Sequence, residues 1–415
     1  MIDIRILRDD PQRVKANCKR RSCTVDIDEL VAKDQEYLAL TRDIEDKRAL
    51  RNSLSKQCRD NPEAREQVKA LKGELADVEQ RQGVLQTAVN DMLAWLPNFL
   101  ADDVPDGRGD DDNAPLRFVG DKPEFDFEPK DHQELGELHG IIDTARGAKV
   151  AQRGFYFWVG AGAQLTQGLF FWAQQELVKR GFTLFMSPCA AKGETLFGTG
   201  YLPFFADQTY QLEGEDLALI GTSEQTLIGY RADEVINADQ LPLCYTAYTP
   251  CFRTEAGSWG KATRGIFRVH QFHKVEQIVL CLPEESPKYH DMCQENEEYL
   301  LKQLGLPYRV VNVCVGDMGA PGYKKYDVEA WFAGYSGYRE VTSNTNLTDF
   351  QSRRLKIRYK ADKKRGFVHT ISATGVTDRV VCAILENFQQ ADGTVIIPEV
   401  LRPFTGFDRL VPPAK

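Results

Sequence analysis

No stretch of the 415-residue sequence approaches the ~20 consecutive apolar residues of a membrane-spanning helix, which excludes a spanning protein. The opening MIDIRILRDDPQRVK is charged from its third residue and has no apolar core, so it does not read as a secretory signal, and a cytoplasmic chain is expected. The ten cysteines include no CxxC pair, which argues for reduced thiols, mostly in the core, rather than staples or zinc ligands. His270, His273 and His369 have no metal-ligand spacing and read as structural. Neither GxGxxG nor GxxxxGK[ST] occurs, so the two common nucleotide-binding loops are absent, as are internal repeats and low-complexity tracts. With 42% apolar and 27% charged residues, the composition also excludes disorder.

The net charge of −9 argues against a nucleic-acid partner until it is resolved by segment. Residues 1–100 hold 18 basic and 18 acidic side chains, so the whole deficit lies beyond them. Within this neutral part, KRALRNSLSKQCR (residues 47–59) has five basic residues and no acid: Lys47, Arg48, Arg51, Lys56 and Arg59. Apolar residues at Ala64, Val68, Leu71, Leu75, Val78, Leu85, Val89, Met92 and Leu96 alternate in 3/4 steps, broken only at Gln82, and predict a coiled-coil helix from Pro62. A looser seam over residues 28–57 (Leu30, Tyr37, Leu40, Ile44, Leu54) predicts an antiparallel partner across the RDNPE turn. A scaffold or dimerisation hairpin and an arm gripping a nucleic-acid backbone both fit this pattern; the basic tip favours the second.

The stretch after Leu96 is rich in Asp, Gly and Pro and reads as an acidic linker. This divides the chain into residues 1–100, a linker over 101–132 and a large domain over 133–415. In that domain FTLFMSP, LALIGT, TAYTPCFRTE, FRVHQFHKVEQIVLCL, YRVVNVC and YDVEAWF follow one another with sparse helices. Successive strands of this kind predict an α+β fold on an antiparallel sheet.

Chemistry concentrates in PCFRTEAGSWGKATRGIFRVHQFHKVE (residues 250–276). A strand ending in Arg253-Thr254-Glu255 enters a loop with Lys261 and Arg264, and a second strand returns through Phe272 and Glu276. Strand alternation puts Arg253 and Glu255 on one face, which suits a polyanionic ligand with an amino group beside it, or equally a surface hairpin with cross-strand ion pairs. Arg379 opens the amphipathic run DRVVCAILENFQQ, where a cation opposes the helix dipole unless an anion lies near. Glu340 and Ser343 in REVTSNTN suit a metal–phosphate group or an edge-strand pair. Thr222-Ser223-Glu224 reads, by itself, as a helix N-cap.

Taken together, the N-terminal segment, the arm tip RNSLSK, FGTGYLPFFADQTYQLEGEDLALIGTSE, the 250–276 segment, GLPYRVVNVCVGDMGAPGYKKYDVEAWF and ILENFQQADGTVIIPEVLRPF resemble bacterial-type seryl-tRNA synthetases, which are class II aminoacyl-tRNA synthetases. The resemblance covers essentially the whole chain. It implies a seven-stranded class II antiparallel catalytic sheet with flanking helices, an N-terminal coiled-coil arm and a homodimer with Pro188 at its interface. It further implies activation of L-serine with ATP and Mg²⁺ to seryl-adenylate. The seryl group then passes to the 3′ end of serine tRNA with its long variable arm (in the family, also selenocysteine tRNA).

The resemblance carries roles with it. Arg253 and Arg379 are the implied catalytic residues, Arg253 bridging the substrate carboxylate and the α-phosphate. Thr254, Glu255, Arg264, Phe272, Glu340, Val341, Thr342 and Ser343 join them in the implied ATP site, with Phe272 stacking on adenine and Glu340 and Ser343 handling the metal. Thr222, Ser223, Glu224, Arg253, Glu276 and Thr374 are the implied serine site. Lys47, Arg48, Arg51, Lys56 and Arg59 are the implied tRNA contacts.

Three places depart from the family pattern. His369-Thr370-Ile371-Ser372-Ala373-Thr374 replaces HTLNG[S/T], Ser343-Asn344-Thr345-Asn346 replaces SCSN, and Gln225 stands where a small apolar residue is usual. All three are expected near the amino-acid pocket, where small changes alter which amino acid is accepted. Beside a serine–tRNA ligase, two readings therefore remain: a duplicated synthetase serving a specialised pathway, and an inactive homologue that binds RNA or a partner.

Overall fold

The computed structural model describes residues 1–256, 265–362 and 364–413, in two compact units, Met1–Pro97 and Asn98–Lys415. Lys261 and Arg264 lie outside the described residues.

In the first unit two long antiparallel helices, Ile27–Ser55 and Pro62–Ala94, form the hairpin that the 3/4 spacing predicts. Asp26 caps the first by accepting from the Asp28 and Glu29 amides; Asn61 caps the second, with Pro62 in its first turn. Leu30, Ile44, Ala64, Leu71, Leu75, Val89 and Leu93 are buried along the seam. Where Gln82 interrupts the apolar spacing, its amide donates to Thr41 Oγ1 at 2.8 Å, so the break is a polar pair across the two helices. Asp34, buried in the first helix, receives a bidentate grip from Arg8 at 2.7 and 2.8 Å.

In the second unit we number the strands of the large sheet β1 Ala114–Val119, β2 Thr183–Phe185, β3 Leu243–Phe252, β4 Gln271–Cys281, β5 Tyr308–Asn312, β6 Lys324–Phe332, β7 Gly337–Thr348 and β8 His369–Thr377. Their spatial order is β1-β5-β6-β7-β8-β4-β3-β2. Every pairing is antiparallel except β2 with β3. The sheet thus has eight strands where the family resemblance implied seven. Residues 101–132 are not a free linker, because β1 pairs with β5, and Ala101 and Val104 pack against Val311, Val313 and Met318. β1 reads APLRFV, apolar at four of six positions with Leu116 and Phe118 exposed, but it follows closely on the acidic Asp110–Asp112 run, which masks it within the Asp- and Gly-rich stretch.

Alternation along the central strands divides their residues between two faces. Val275 and Val279 of β4 and Ile371 and Ala373 of β8 join the main core, together with residues of helices Ala161–Lys179, Ser286–Gln303 and Asp378–Asn387. Lys274, Glu276, Ser372 and Thr374, at the intervening positions, are left on the other face. Further along that face Ile278 and Leu280 belong to a second core, with Leu227 and Ile228 from helix Glu224–Gly229 and Leu355 from helix Phe350–Leu355. Among the described residues no helix is long and apolar enough to cross a membrane. All ten cysteines are free thiols, six of them buried, as expected.

Candidate active site

Arg253 stands one residue beyond the end of β3. Its amide donates to the His270 carbonyl (2.9 Å), its own carbonyl lies 3.0 Å from His270 Nδ1, and the guanidinium sits over the Phe272 ring with its centre 5.1 Å from the centroid. His270 is therefore structural, as expected, and it fixes the backbone that carries Arg253. Although burial lowers the affinity of Arg253 for its proton, Tyr201, Cys251, Glu255 and Glu340 more than restore it, so the side chain is a permanent cation. Glu255 adopts a left-handed backbone (φ 51°) and accepts from Arg268 Nη1 at 2.7 Å. Such a conformation is unfavourable for a residue with a Cβ and persists where the surroundings fix it.

Arg379 begins helix Asp378–Asn387, as its position in DRVVC predicts. The dipole conflict is met locally: Asp378 shares the first turn, and the Arg379 side chain turns aside, donating through Nη1 to Glu340 Oε2 (2.9 Å) and the Glu340 carbonyl (3.0 Å) and through Nε to the Phe267 carbonyl (3.2 Å). Burial would push the Glu340 carboxyl up, but Arg379, Lys325 and Arg253 together hold it below the usual range, so it is ionised.

Glu340 and Ser343 reach one cavity because of a bulge. Residues three apart on a regular strand point to opposite faces. Here the register with β6 shifts between Val328↔Thr342 and Glu329↔Glu340, leaving Val341 as the extra residue, and Glu340 and Ser343 both line the cavity. That cavity, about 620 Å³, is walled also by Arg253, Glu255, Arg268, Phe272, Lys274, Thr374 and Arg379. A second cavity of about 490 Å³ includes Arg253, Tyr201, Gly221 and Gln225 in its wall.

Glu276 lies in β4, opposite Ala247 of β3 and Thr374 of β8. Its carboxylate accepts from Thr222 Oγ1 (3.3 Å) and Ser372 Oγ (3.0 Å) and pairs with Lys274 Nζ. Glu224 is buried nearby, accepting from Gln351 Nε2 (2.6 Å) and Tyr201 OH (3.3 Å). Burial and then the charge of Glu276 push its carboxyl above the usual range. The Ser223 hydroxyl is buried with no hydrogen-bond partner among the described residues.

Not every expected residue points into the cavity. Thr254 is tied by Oγ1 to the Asp207 carbonyl (2.5 Å) and is not among the cavity-lining residues. Thr342 is among the residues lining the cavity, but its hydroxyl is already committed to Glu297 of helix Ser286–Gln303 at 3.1 Å. One departing residue also lies differently from expectation. Of the two residues that differ from SCSN, Asn344 donates to the His290 carbonyl (2.8 Å) of that same helix, whereas Thr345 sits opposite Ser372 of β8. Gln225 accepts from the Gly221 amide at 3.1 Å and so braces the backbone whose carbonyl Arg253 approaches. Ser372, bonded to Glu276, and Gln225, in the wall of the second cavity beside Arg253, are departures that do reach the site. Lys274, which the sequence reading missed, lines the cavity beside Glu276; the signal was available in the Lys-x-Glu alternation of β4. Lys47 and Arg48 of the arm, expected as tRNA contacts, pair across the hairpin with Glu74 (2.9 Å) and Glu79 (2.8 Å).

Two arginines and an ionised glutamate around one cavity, on an antiparallel sheet of this order, define a class II aminoacyl-tRNA synthetase core. Residues 208–388 match the family described as "tRNA synthetase class II core domain (G, H, P, S and T)", and residues 1–100 match "Seryl-tRNA synthetase N-terminal domain". The chain is 45% identical to the serine–tRNA ligase of Thermobifida fusca over 100% of both chains. It is also similar to the crystal structure of seryl-tRNA synthetase from Pyrococcus horikoshii complexed with ATP, with a TM-score of 0.95 at 36% identity and 100% of both chains covered. A cytoplasmic serine–tRNA ligase of Naegleria fowleri in complex with AMP gives a TM-score of 0.90 at 29% identity, over 100% of this chain and 99% of that one. The chain belongs to the seryl-tRNA synthetase family.

Proposed function

We infer that the protein is a serine–tRNA ligase that activates L-serine with ATP and transfers the seryl group to tRNA. The observation that carries the reading is the single cavity shared by Arg253, Arg379, Glu340 and Phe272. ATP occupies this cavity, its adenine against Phe272 and Glu255 and its phosphates among the arginines. The serine ammonium is held at Thr222, Glu224 and Glu276, and its carboxylate meets Arg253, which walls both cavities. One carboxylate oxygen attacks the α-phosphorus, the bond to pyrophosphate breaks, and the two guanidiniums stabilise charge on the transferring phosphoryl group. The terminal ribose hydroxyl of the tRNA then attacks the seryl carbonyl and releases AMP. Alignment and fixed positive charge accomplish both steps, and no protein nucleophile is needed.

Glu340 and Ser343 offer hard oxygen donors on one wall, which fits Mg²⁺ held by one or two protein groups plus phosphates. Bound there, Mg²⁺ neutralises phosphate charge and orients the leaving group. Arg51, Lys56 and Arg59 near the hairpin tip contact the tRNA backbone, the long variable arm being the part such a rod suits, and Lys47 and Arg48 chiefly join the two helices. The exposed apolar side chains Leu184, within edge strand β2, and Met186, just beyond it and two residues before Pro188, support a homodimer. The working compartment is the cytoplasm.

The test is amino-acid-dependent ATP–pyrophosphate exchange across the twenty amino acids, followed by charging of serine tRNA. Exchange with serine alone and subsequent charging are expected; exchange with another amino acid would refute the serine assignment, and none at all would refute the enzyme.

A further inference from the structure

Helix Pro11–Arg20 ends in a closed backbone motif. Ser22 adopts the left-handed conformation (φ 51°), its amide donates to the Lys19 carbonyl (3.3 Å), and the Cys23 amide donates to the Cys18 carbonyl (2.8 Å). This is the double hydrogen-bond pattern of a Schellman cap, which brings the third-from-last helical residue against the second residue beyond the cap. An apolar contact usually joins those two positions; here both are cysteines. The backbone hydrogen bond limits their Cα separation to about 7 Å, within reach of a disulfide.

The environment makes the two thiols unequal. Cys18 is buried, whereas Cys23 is half-buried, with its sulfur 3.7 Å from the Trp95 carbonyl. The hydrogen bond from Cys18 holds the Cys23 thiol below its ordinary value against the effect of burial, helped by the Val25 amide and Arg21; the same bond and burial push Cys18 up. A partly exposed thiol that gives up its proton more readily, beside a buried thiol, is the arrangement of an attacking and a resolving cysteine.

We propose that Cys18 and Cys23 form a reversible redox site at the end of helix Pro11–Arg20, oxidised by low-molecular-weight disulfides. The Cys23 thiolate attacks one sulfur of the small disulfide, forming a mixed disulfide and expelling one thiolate, which takes up a proton. Cys18 then loses its proton and attacks the Cys23 sulfur, forming the Cys18–Cys23 bond and expelling the second small thiolate. The two cysteines lose two electrons and two protons, and the small disulfide becomes two thiols.

Trypsin makes the test specific, because Lys19, Arg20 and Arg21 lie between the cysteines and the peptides ANCK and SCTVDIDELVAK stay together only through the bond. The full-length protein is incubated with oxidised glutathione, alkylated without reduction and mapped by mass spectrometry. The linked pair is expected, lost on adding reductant, and Cys18→Ser is expected to accumulate the glutathione adduct on Cys23. Brief iodoacetamide treatment at neutral pH is expected to label Cys23 before the other nine cysteines. Glutathione adducts without the linked pair, or another cysteine labelled first, would overturn the proposal.

Discussion

The Ser372 hydroxyl donates to Glu276 Oε1 at 3.0 Å, joining β8 to β4 inside the proposed amino-acid subsite. Thr222 and Lys274 engage the carboxylate as well, so Glu276 is fixed before any substrate arrives. A site built to hydrogen-bond a substrate hydroxyl discriminates only while its own groups are held in place. Ser372→Ala is expected to raise the KM for serine about tenfold, the equivalent of one hydrogen bond to a charged group at ~1.5 kcal/mol, with kcat changed far less. Serine-dependent pyrophosphate exchange measures this, and an unchanged KM would remove Ser372 from the amino-acid site.

Arg379 presents a planar fork, two of whose nitrogens meet the Glu340 carboxylate, the Glu340 carbonyl and the Phe267 carbonyl. A lysine keeps the charge but makes neither the fork nor the stacking over Phe267, whose centroid lies 4.4 Å from the guanidinium carbon. Arg379→Lys and Arg379→Ala are therefore expected to lose comparable activity, about 10²–10³-fold in exchange rate. Circular dichroism should be unchanged. Near-full activity in the lysine variant would show that charge alone suffices.

The residues that were legible in the sequence share a property: their placement follows from local chain direction. Arg253, Glu255 and Phe272 flank one hairpin, and Arg379 opens one helix, so compact motifs located them. The cohabitation of Glu340 and Ser343 needed a bulge at Val341 that alternation cannot foresee. Strand β1, APLRFV, is apolar enough to read as a strand but was hidden by the acidic, Gly-rich run that leads into it. For Lys47 and Arg48 the sequence showed a run of positive charge, but not the carboxylates of Glu74 and Glu79 that the hairpin brings opposite them. Charge runs report composition; pairing belongs to tertiary structure.

Glu224 gives the site a pH dependence of definite sign. Burial and the neighbouring Glu276 raise its folded-state pKa, so the folded chain holds this proton more tightly than the unfolded chain does. Its contribution to stability is fully present below the unfolded carboxylate value and is lost as pH rises through the raised one. An ammonium ligand needs the ionised form, so serine binding displaces the proton. Serine affinity is expected to fall as pH drops through the raised value, with a one-proton dependence that Glu224→Gln abolishes. Calorimetric titration with serine across the mildly acidic range measures it; a variant that keeps the dependence would assign the proton to another group.

The basic residues of the arm divide by what they already touch. Lys47 and Arg48 spend their charge on Glu74 and Glu79, while Lys56 and Arg59 are exposed and Arg51 is partly so. Only groups whose counterions are free to leave contribute fully to phosphate binding, and each such contact adds about 0.7–0.9 to the slope of log affinity against log salt. Replacing Arg51, Lys56 and Arg59 by Ala is expected to weaken tRNA charging and to flatten that slope by about 2, with serine-dependent pyrophosphate exchange unchanged. Replacing Lys47 and Arg48 should leave the slope nearly intact and act instead on the hairpin, with a small fall in its melting temperature. Charging rates at several salt concentrations, read beside exchange rates for the same variants, separate the two groups. Equal loss of exchange and charging in the triple variant would count against a tRNA role for the arm tip.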